Sequence, residues 1–183
     1  MPDLFGCVLK RRSYRGAYLD SPVPRGHLEL IMEAGLAAPS GCNAQTTSLV
    51  GIDDPALAAA ITALVKANGF AGGSAPAGVC VLTRPIPAYA DVLFNVQDYS
   101  AAIQNMLLAI TALGYESCWI EGQVTESEET QRGIARLLRL PEEYAVAAFL
   151  PVGLPAGGPK APKKRPFCER AWYNAYGEDR WPT

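Results

Sequence analysis

Histidine is almost absent from this sequence, because His27 is the only one among its 183 residues. A Ser/His/Asp hydrolase and a multi-histidine zinc site both need imidazole groups in a defined arrangement. A single histidine, on the predicted polar face of a helix, argues against both and is expected to be a solvated surface residue. We therefore expect no metal site and no catalytic side chain. If the chain is an enzyme, a cofactor is expected to carry the difficult chemistry.

Strong charge of one sign and long apolar runs are also missing. The formal net charge is -2 and 19% of the residues are charged, so no general attraction to nucleic acid or to an anionic membrane is expected. No run approaches the roughly 18 uninterrupted apolar residues of a membrane span. The charges of Lys10, Arg11 and Arg12 follow the first apolar stretch, opposite to the order in a secretory signal. The sequence therefore predicts a cytoplasmic protein.

Cysteine patterns typical of disulfides or redox motifs are missing as well. The five cysteines are odd in number, and no Cys-x-x-Cys pair occurs. Cys7, Cys80 and Cys118 lie in apolar surroundings, so reduced thiols acting as small hydrophobic residues are expected. Cys42 is the exception, because it lies in a Ser-Gly-Cys-Asn loop.

Hydrophobic periodicity and punctuation by Gly and Pro predict alternating helices and strands around a central sheet, in the α/β or α+β class. Asp54 is the expected N-cap of the third helix, and Thr125 with Glu128 resembles a capping box for the last one. The length fits one domain over residues 1–183, with 153–183 as a basic and aromatic C-terminal extension. Helices are predicted over 2–12, from about Pro24 to before Pro39, from Pro55 to about Asn68, over 95–113 and from Thr125 to about Leu138; strands are predicted over 47–52, 77–83, 116–121 and 145–152.

Four clusters could carry chemistry, although each has an ordinary structural explanation. Residues 10–15 could be a solvated basic helix end, or their arginines and serine could bind a phosphate. Residues 38–45 could be a simple turn, or their amides could bind the polar edge of a planar ring. Residues 114–122 could be an edge strand with one exposed acid. Residues 163–166 could be a solvated basic tail.

The order and spacing of these clusters resemble the flavin-dependent nitroreductase family over residues 4–166. The resemblance rests on Arg-Arg-Ser-x-Arg, Pro-Ser-Gly-x-Asn-x-Gln, Gln-Asn-x-Leu-Leu, Trp-Ile-Glu-Gly and a Lys-x-Arg-Pro tail. It implies an α+β, nitroreductase-type fold with a central mixed sheet flanked by helices, a long central helix and a C-terminal tail packing on the partner subunit. Two departures are clear: Thr46 and Thr47 replace a frequent Pro-Trp, and the segment 66–94 is short.

For the phosphate end of the cofactor, the resemblance implies a cationic set from both ends of the chain. Arg11, Arg12 and Ser13 are expected at the phosphate and ribityl chain of FMN. Lys163 and Arg165 are expected to close on the phosphate.

For the flavin ring, the resemblance implies one cation and one backbone donor. Arg15 is expected near N1 and O2, where it would stabilise the anionic reduced ring. The N–H of Glu121 is expected at N5. Trp119, Ile120 and Gly122 are expected to lie along the flavin of their own subunit. The flavin of the opposite subunit is expected to be reached by Pro39, Ser40, Gly41 and Asn43. Gln45 is expected to support the loop that carries these four residues.

The function implied is a ping-pong oxidoreductase that passes hydride from NAD(P)H through FMN to a nitroaromatic, a quinone or a similar electron-poor acceptor. The alternatives are a flavin-binding carrier or sensor without dedicated turnover, and a relative with different flavin chemistry, such as reductive dehalogenation or flavin breakdown. A homodimer with FMN at the subunit interface is expected. The aromatic tail and the apolar residues of the long helix are the expected interface, the latter comprising Ala102, Met106, Leu107 and Ile110.

Overall fold

The computed structural model describes residues 3–67 and 69–177, so the helix residues expected at Pro2 and Asn68 lie outside the described part. Its sheet contains β1 (Thr47–Ile52), β2 (Ala77–Thr83) and β3 (Ala145–Val152), in the order β1-β2-β3. All three strands begin and end where the sequence predicts. Both strand pairs are antiparallel. The central strand β2 is buried throughout, which explains why its sequence is apolar without alternation.

Six α-helices surround the sheet in the described ranges, and the α+β class is confirmed. The helix predicted from about Pro24 is α2, and the long predicted helix is α4. None of the helices in the described ranges has both the length and the apolar character needed to cross a membrane. The helices are α1 (Leu4–Lys10), α2 (Arg25–Leu36), α3 (Pro55–Ala67), α4 (Asn95–Ala112), α5 (Gly122–Thr125) and α6 (Glu128–Leu138).

Residues 116–121 form isolated bridges where the sequence predicts a regular strand. Glu116 pairs with Gly153, Ser117 with Ser13, and Ile120 with Phe149. The Ser13–Ser117 bridge is the only parallel pairing in the described residues, so the expected mixed character of the sheet is confined to it. The bridges nevertheless tie this segment to β3 and to the chain that leaves α1.

Alternating residues of the sheet supply two cores, one on each face. Val79 and Val81 face α2 and α4, whereas Cys80 and Leu82 face α3 and α6. The long helix α4 covers the first face. Its residues Ala102, Met106, Leu107 and Ile110 are therefore buried in the core of their own chain, and the prediction that they form a subunit interface is wrong.

Two further predictions about local structure need correction. Ser127, not Thr125, caps α6, since its side chain accepts from the Thr130 N–H at 3.2 Å. Thr125 instead ends α5, an additional helical turn inserted before α6. His27 is half-buried, with its Nδ1 2.9 Å from the Tyr115 hydroxyl, and is not simply solvated.

Other local signals are confirmed. Asp54 caps α3, because its Oδ1 accepts from the Ala56 N–H at 2.8 Å. Gly114 follows α4 with a φ of 84°, a left-handed conformation that favours glycine. Cys7, Cys80 and Cys118 are buried, as expected for small hydrophobic residues.

Candidate functional site

The arginine-rich segment that leaves α1, residues 11–15, lies beside residues 116–118. The Tyr14 N–H donates to the Ser117 carbonyl at 2.8 Å, next to the parallel bridge between Ser13 and Ser117. The ring of Tyr14 is buried, and its hydroxyl donates to the Ala17 carbonyl at 2.6 Å. With Tyr14 inside, the side chains on either side, Ser13 and Arg15, are exposed, as alternation along an extended chain requires.

Arg12 joins this segment to the beginning of the C-terminal tail. Its Nη1 donates to the Pro159 carbonyl at 3.2 Å. Its Nε lies 3.8 Å from Oε1 of Glu116, an ion pair too long for a hydrogen bond, and is buried with no hydrogen-bond partner in the described residues. Burial raises the pKa of Glu116, while the Arg12 and Arg11 charges lower it and oppose that effect.

A cavity of about 500 Å³ lies between this segment and the tail. Its walls include Ser13 and Arg15 on one side and Gly157, Gly158 and Lys160 on the other. The volume is in the usual range for small-ligand sites. Two cations, Arg15 and Lys160, together with a hydroxyl and glycine backbone suit an anionic ligand.

The distal tail cations are in a different situation. Lys163 and Arg165 are exposed in a stretch without regular secondary structure. Neither residue is among those that line the cavity. The structure therefore brings the arginine segment together with residues 156–160, and the approach of Lys163 and Arg165 to the phosphate stays a prediction.

Beyond Ser117, the same segment ends at Glu121, whose backbone is held on both sides. The preceding residue, Ile120, exchanges two hydrogen bonds with Phe149 of β3, at 3.1 and 2.9 Å. The Glu121 carbonyl accepts from the N–H groups of Val124 and Thr125, at 2.7 and 2.8 Å. The Glu121 N–H itself donates to no acceptor among residues 3–67 and 69–177. Glu121 thus offers a free backbone donor on a constrained support.

The Glu121 side chain is also held. The Tyr99 hydroxyl of α4 donates to its Oε1 at 2.7 Å. Burial and the neighbouring Glu121 carboxylate raise the pKa of Tyr99 to about 12, so the hydroxyl remains a donor at neutral pH. Sequence reasoning did not identify Tyr99. Its only signal was a phenol on the otherwise apolar face of a long helix.

The residues on either side of Glu121 differ in burial. Trp119 and Gly122 are half-buried, and Ile120 is fully buried. The Trp119 Nε1 is a buried donor with no hydrogen-bond partner in the part of the chain that the structure describes. The segment 119–121 thus has two N–H groups without an acceptor in the described residues, the Trp119 indole and the Glu121 backbone, and a polar group of a ligand could satisfy such donors.

The loop 39–45 lies at the start of α4, and three of its non-glycine residues have left-handed backbone. The φ values of Cys42, Asn43 and Gln45 are 50°, 56° and 49°. Ser40 closes the loop by accepting the Gln45 N–H on its hydroxyl at 3.0 Å. Pro39, Asn43 and Gln45 are exposed, and Ser40 and Gly41 are half-buried.

A buried carboxylate fixes both ends of this loop. Asp98, only 4% exposed, accepts the Gly41 N–H at 2.8 Å and the Thr46 hydroxyl at 2.7 Å. Gly41 is required there, because a Cβ would collide with the ring of Phe94. Sequence reasoning missed Asp98, whose signal was an acid in the first turn of an apolar helix. Thr46 thus bonds the loop to α4 at the position where the family often has proline.

Beneath the loop lies a second cavity of about 320 Å³. Its lining includes Leu36, Ser48 and Thr47, and the Thr47 hydroxyl is buried without a hydrogen-bond partner among the residues described.

Comparison with known proteins agrees with these features. The sequence profile of the nitroreductase family matches residues 8–81 and 65–154. A protein of Methanothermobacter thermautotrophicus with the provisional name NADH dehydrogenase/NAD(P)H nitroreductase is 30% identical over 161 residues, which are 86% of this chain and 80% of the relative. A similarly named protein of Archaeoglobus fulgidus is 28% identical over 85% of this chain and 87% of its own length.

Solved structures show the same likeness. A provisionally named nitroreductase of Desulfovibrio desulfuricans, solved in complex with FMN, is 28% identical with a TM-score of 0.77, over 100% of this chain and 99% of that one. An FMN-dependent nitroreductase of Clostridium difficile is 25% identical with a TM-score of 0.78, over 94% and 99%. The profile match, the sequence relatives and the shared architecture lead to one conclusion: the chain belongs to the nitroreductase family.

Proposed function

We propose that the protein is an FMN-dependent oxidoreductase that transfers hydride from NAD(P)H through FMN to an electron-poor acceptor, by a ping-pong mechanism. The observation that carries the proposal is one continuous segment, which begins beside the cationic cavity at Ser117 and ends at the free N–H of Glu121. Four residues of extended chain reach at most about 14 Å. That span accommodates a phosphate at one end and a planar ring at the other.

The residues at the cavity suit the phosphate of FMN. Arg11 and Arg12 are half-buried cations that directly precede Ser13, which is exposed and lines the cavity, and Arg12 bonds to the Pro159 carbonyl in the opposite wall. The unpartnered Arg12 Nε is a donor that a phosphate oxygen could satisfy. Lys163 and Arg165 would approach the same phosphate from the exposed tail. The cations match a single phosphate, and the sequence contains no Gly-x-Gly-x-x-Gly dinucleotide motif.

The residues of the segment 119–122 suit the flavin ring. When bound, FMN supplies hydride acceptance and release at N5. The Glu121 N–H would donate at that atom, and Trp119, Ile120 and Gly122 would lie along the ring. The charge of Arg15 would stabilise negative charge at N1 and O2. Arg15 lies near enough to Cys118 that its charge lowers the pKa of that thiol, against the larger effect of burial, which raises it. The Glu121 carboxylate already accepts from Tyr99, so its proposed role is structural.

A homodimer would complete the site. Pro39, Ser40, Gly41 and Asn43, with Gln45 supporting them, would reach the flavin of the opposite subunit. Support comes from the exposure of this loop beside α4 and from large apolar side chains left uncovered in one chain. These include Leu4, Phe5, Leu9, Leu36 and Val96, which are 51–84% exposed. The C-terminal extension, including the half-buried Trp172, would pack on the partner.

The test begins with the colour of the purified protein and the flavin that it releases on denaturation. FMN, not FAD, is expected, together with a dimer by light scattering and oxidation of NADH or NADPH with menadione or a nitrofuran as acceptor. A colourless protein that takes up no added FMN would overturn the proposal. Full FMN loading without flavin reduction by either nucleotide would identify a carrier or sensor instead.

A further inference from the structure

We propose that Tyr99 is a positioning residue that aims the backbone N–H of Glu121 at the bound flavin, by holding the Glu121 side chain. This inference rests on the proposed function and extends it to a residue on α4 outside the expected cofactor contacts. Its basis is the 2.7 Å hydrogen bond from the Tyr99 hydroxyl to Glu121 Oε1, next to a backbone donor that has no acceptor in the described chain.

The Glu121 backbone needs an additional restraint because its conformation is irregular. Its φ and ψ are -120° and -59°, between a bridge on one side and a helical turn on the other. The bonds of Ile120 fix the chain before this residue, and those of Val124 and Thr125 fix its carbonyl. The peptide that carries the Glu121 N–H also carries the Ile120 carbonyl, which accepts from the Phe149 N–H at 2.9 Å, so only the small tilt that one hydrogen bond allows remains. A bond from the side chain limits that tilt, because it fixes the direction of the Cα–Cβ bond.

Tyr99 is suited to provide the restraint. It is 5% exposed, so its hydroxyl has little access to water and depends on the Glu121 carboxylate as acceptor. Its helix is fixed at the preceding residue, where Asp98 bonds to Gly41 and Thr46. The phenol ring is therefore held in a fixed position by its helix. Without the bond from Tyr99, the Glu121 carboxylate would turn towards water.

Tyr99→Phe removes the hydroxyl and keeps the ring, and Tyr115→Phe is the matched control. Tyr115 is also buried, and its hydroxyl also bonds to one side chain, that of His27, at 2.9 Å. The measurements are amide hydrogen exchange at Glu121 with and without FMN, and the rate of flavin reduction by NADH without oxygen. FMN content and circular dichroism are measured for both variants.

In the wild type and in Tyr115→Phe, FMN is expected to slow exchange of the Glu121 N–H. In Tyr99→Phe this protection is lost, and flavin reduction slows by roughly 10- to 100-fold, the effect of a displaced contact. Glu121→Gln should keep more of both properties than Glu121→Ala does, because its amide oxygen can accept from Tyr99. Adding Tyr99→Phe to Glu121→Ala should cause no further loss, since the two residues act as one unit.

Unchanged protection of the Glu121 N–H in Tyr99→Phe would overturn the inference, as would additive losses in the double variant. If Tyr99→Phe does not fold, Glu121→Ala alone makes the same comparison without altering α4. Failure of the proposed function is recognised separately, because the wild type would then bind no FMN.

Discussion

Asp98 and Gly41 are 57 residues apart in sequence, yet the carboxylate of Asp98 accepts the Gly41 N–H at 2.8 Å. The same carboxylate accepts the Thr46 hydroxyl, and Tyr99, the next residue, bonds to Glu121. Asp98 and Tyr99, adjacent residues in the first turn of α4, therefore support both the loop 39–45 and the segment 119–122. Changes in this turn are expected to affect both proposed cofactor contacts.

Thr46→Val tests the support of the loop, because it keeps the shape of the side chain and removes its hydroxyl. The buried Asp98 then loses one donor, and the free energy of unfolding is expected to fall by about 1–3 kcal/mol. FMN affinity is expected to fall as well. The measurements are urea unfolding of the apoprotein and FMN titration. The control is Thr111→Val, which removes a hydroxyl that bonds only to the Leu107 carbonyl within α4. Equal effects of the two substitutions on FMN affinity would contradict the role of Asp98.

Arg11→Ala and Arg15→Ala separate phosphate binding from tuning of the ring. Loss of Arg11 is expected to weaken FMN binding by roughly 1.5–3 kcal/mol, the contribution of hydrogen bonds to a charged group. Loss of Arg15 is expected also to lower the flavin reduction potential, because the reduced ring loses its counter-charge. Arg25→Ala is the control, since Arg25 pairs with Asp53 at the surface. Indistinguishable effects of the first two substitutions on affinity and potential would show that the division of roles is wrong.

Glu121→Gln distinguishes a structural carboxylate from a catalytic one. The variant keeps the backbone donor and an oxygen that accepts from Tyr99, so it should retain FMN and most of the NAD(P)H oxidation rate. Glu121→Pro removes the N–H and is expected to impair flavin binding or turnover far more, with circular dichroism to check its fold. A folded, yellow Gln variant that loses two or more orders of magnitude in flavin reduction would identify a catalytic carboxylate.

Stability should decrease at alkaline pH. Burial raises the pKa of Cys80 and Tyr18 above their ordinary values of 9.0 and 10.0, and raises that of Tyr99 to about 12 with help from Glu121. Because the folded state holds these protons more tightly than the unfolded state, their contribution is complete below the unfolded pKa values and is lost progressively as the pH rises from those values to the folded ones. Urea midpoints at pH 8 and pH 10 measure the loss. Cys80→Ala should reduce the difference between them, and an unchanged difference would remove Cys80 from the explanation.

Local signals in the sequence were sufficient for most of the fold. β1, β2 and β3 have the predicted bounds, because apolar runs between turn residues depend little on distant contacts. The capping box failed because Ser127, two residues after Thr125, offers a competing cap next to an extra helical turn. The role of α4 was misjudged because an apolar helix face packs equally well on its own sheet or on a partner.

The candidate site was less accessible to sequence reasoning. Motifs indicated the arginine segment, the loop and the strand end, but not the side chains that support them. Asp98 acts on residues 52 and 57 positions away, and Tyr99 on one 22 positions away. His27 was assigned to solvent because its partner, Tyr115, is 88 positions along the chain. Such pairs become visible only when the elements are packed.

The bond between Arg12 and Pro159 joins residues 147 positions apart and has a consequence for biosynthesis. The two walls of the cavity beside Ser13 come from residues 13–17 and 156–160. A ribosome must therefore release the chain through residue 160 before that cavity can close. Capture of FMN would follow translation, and nascent chains that stop before Pro159 would have the arginine segment without its second wall.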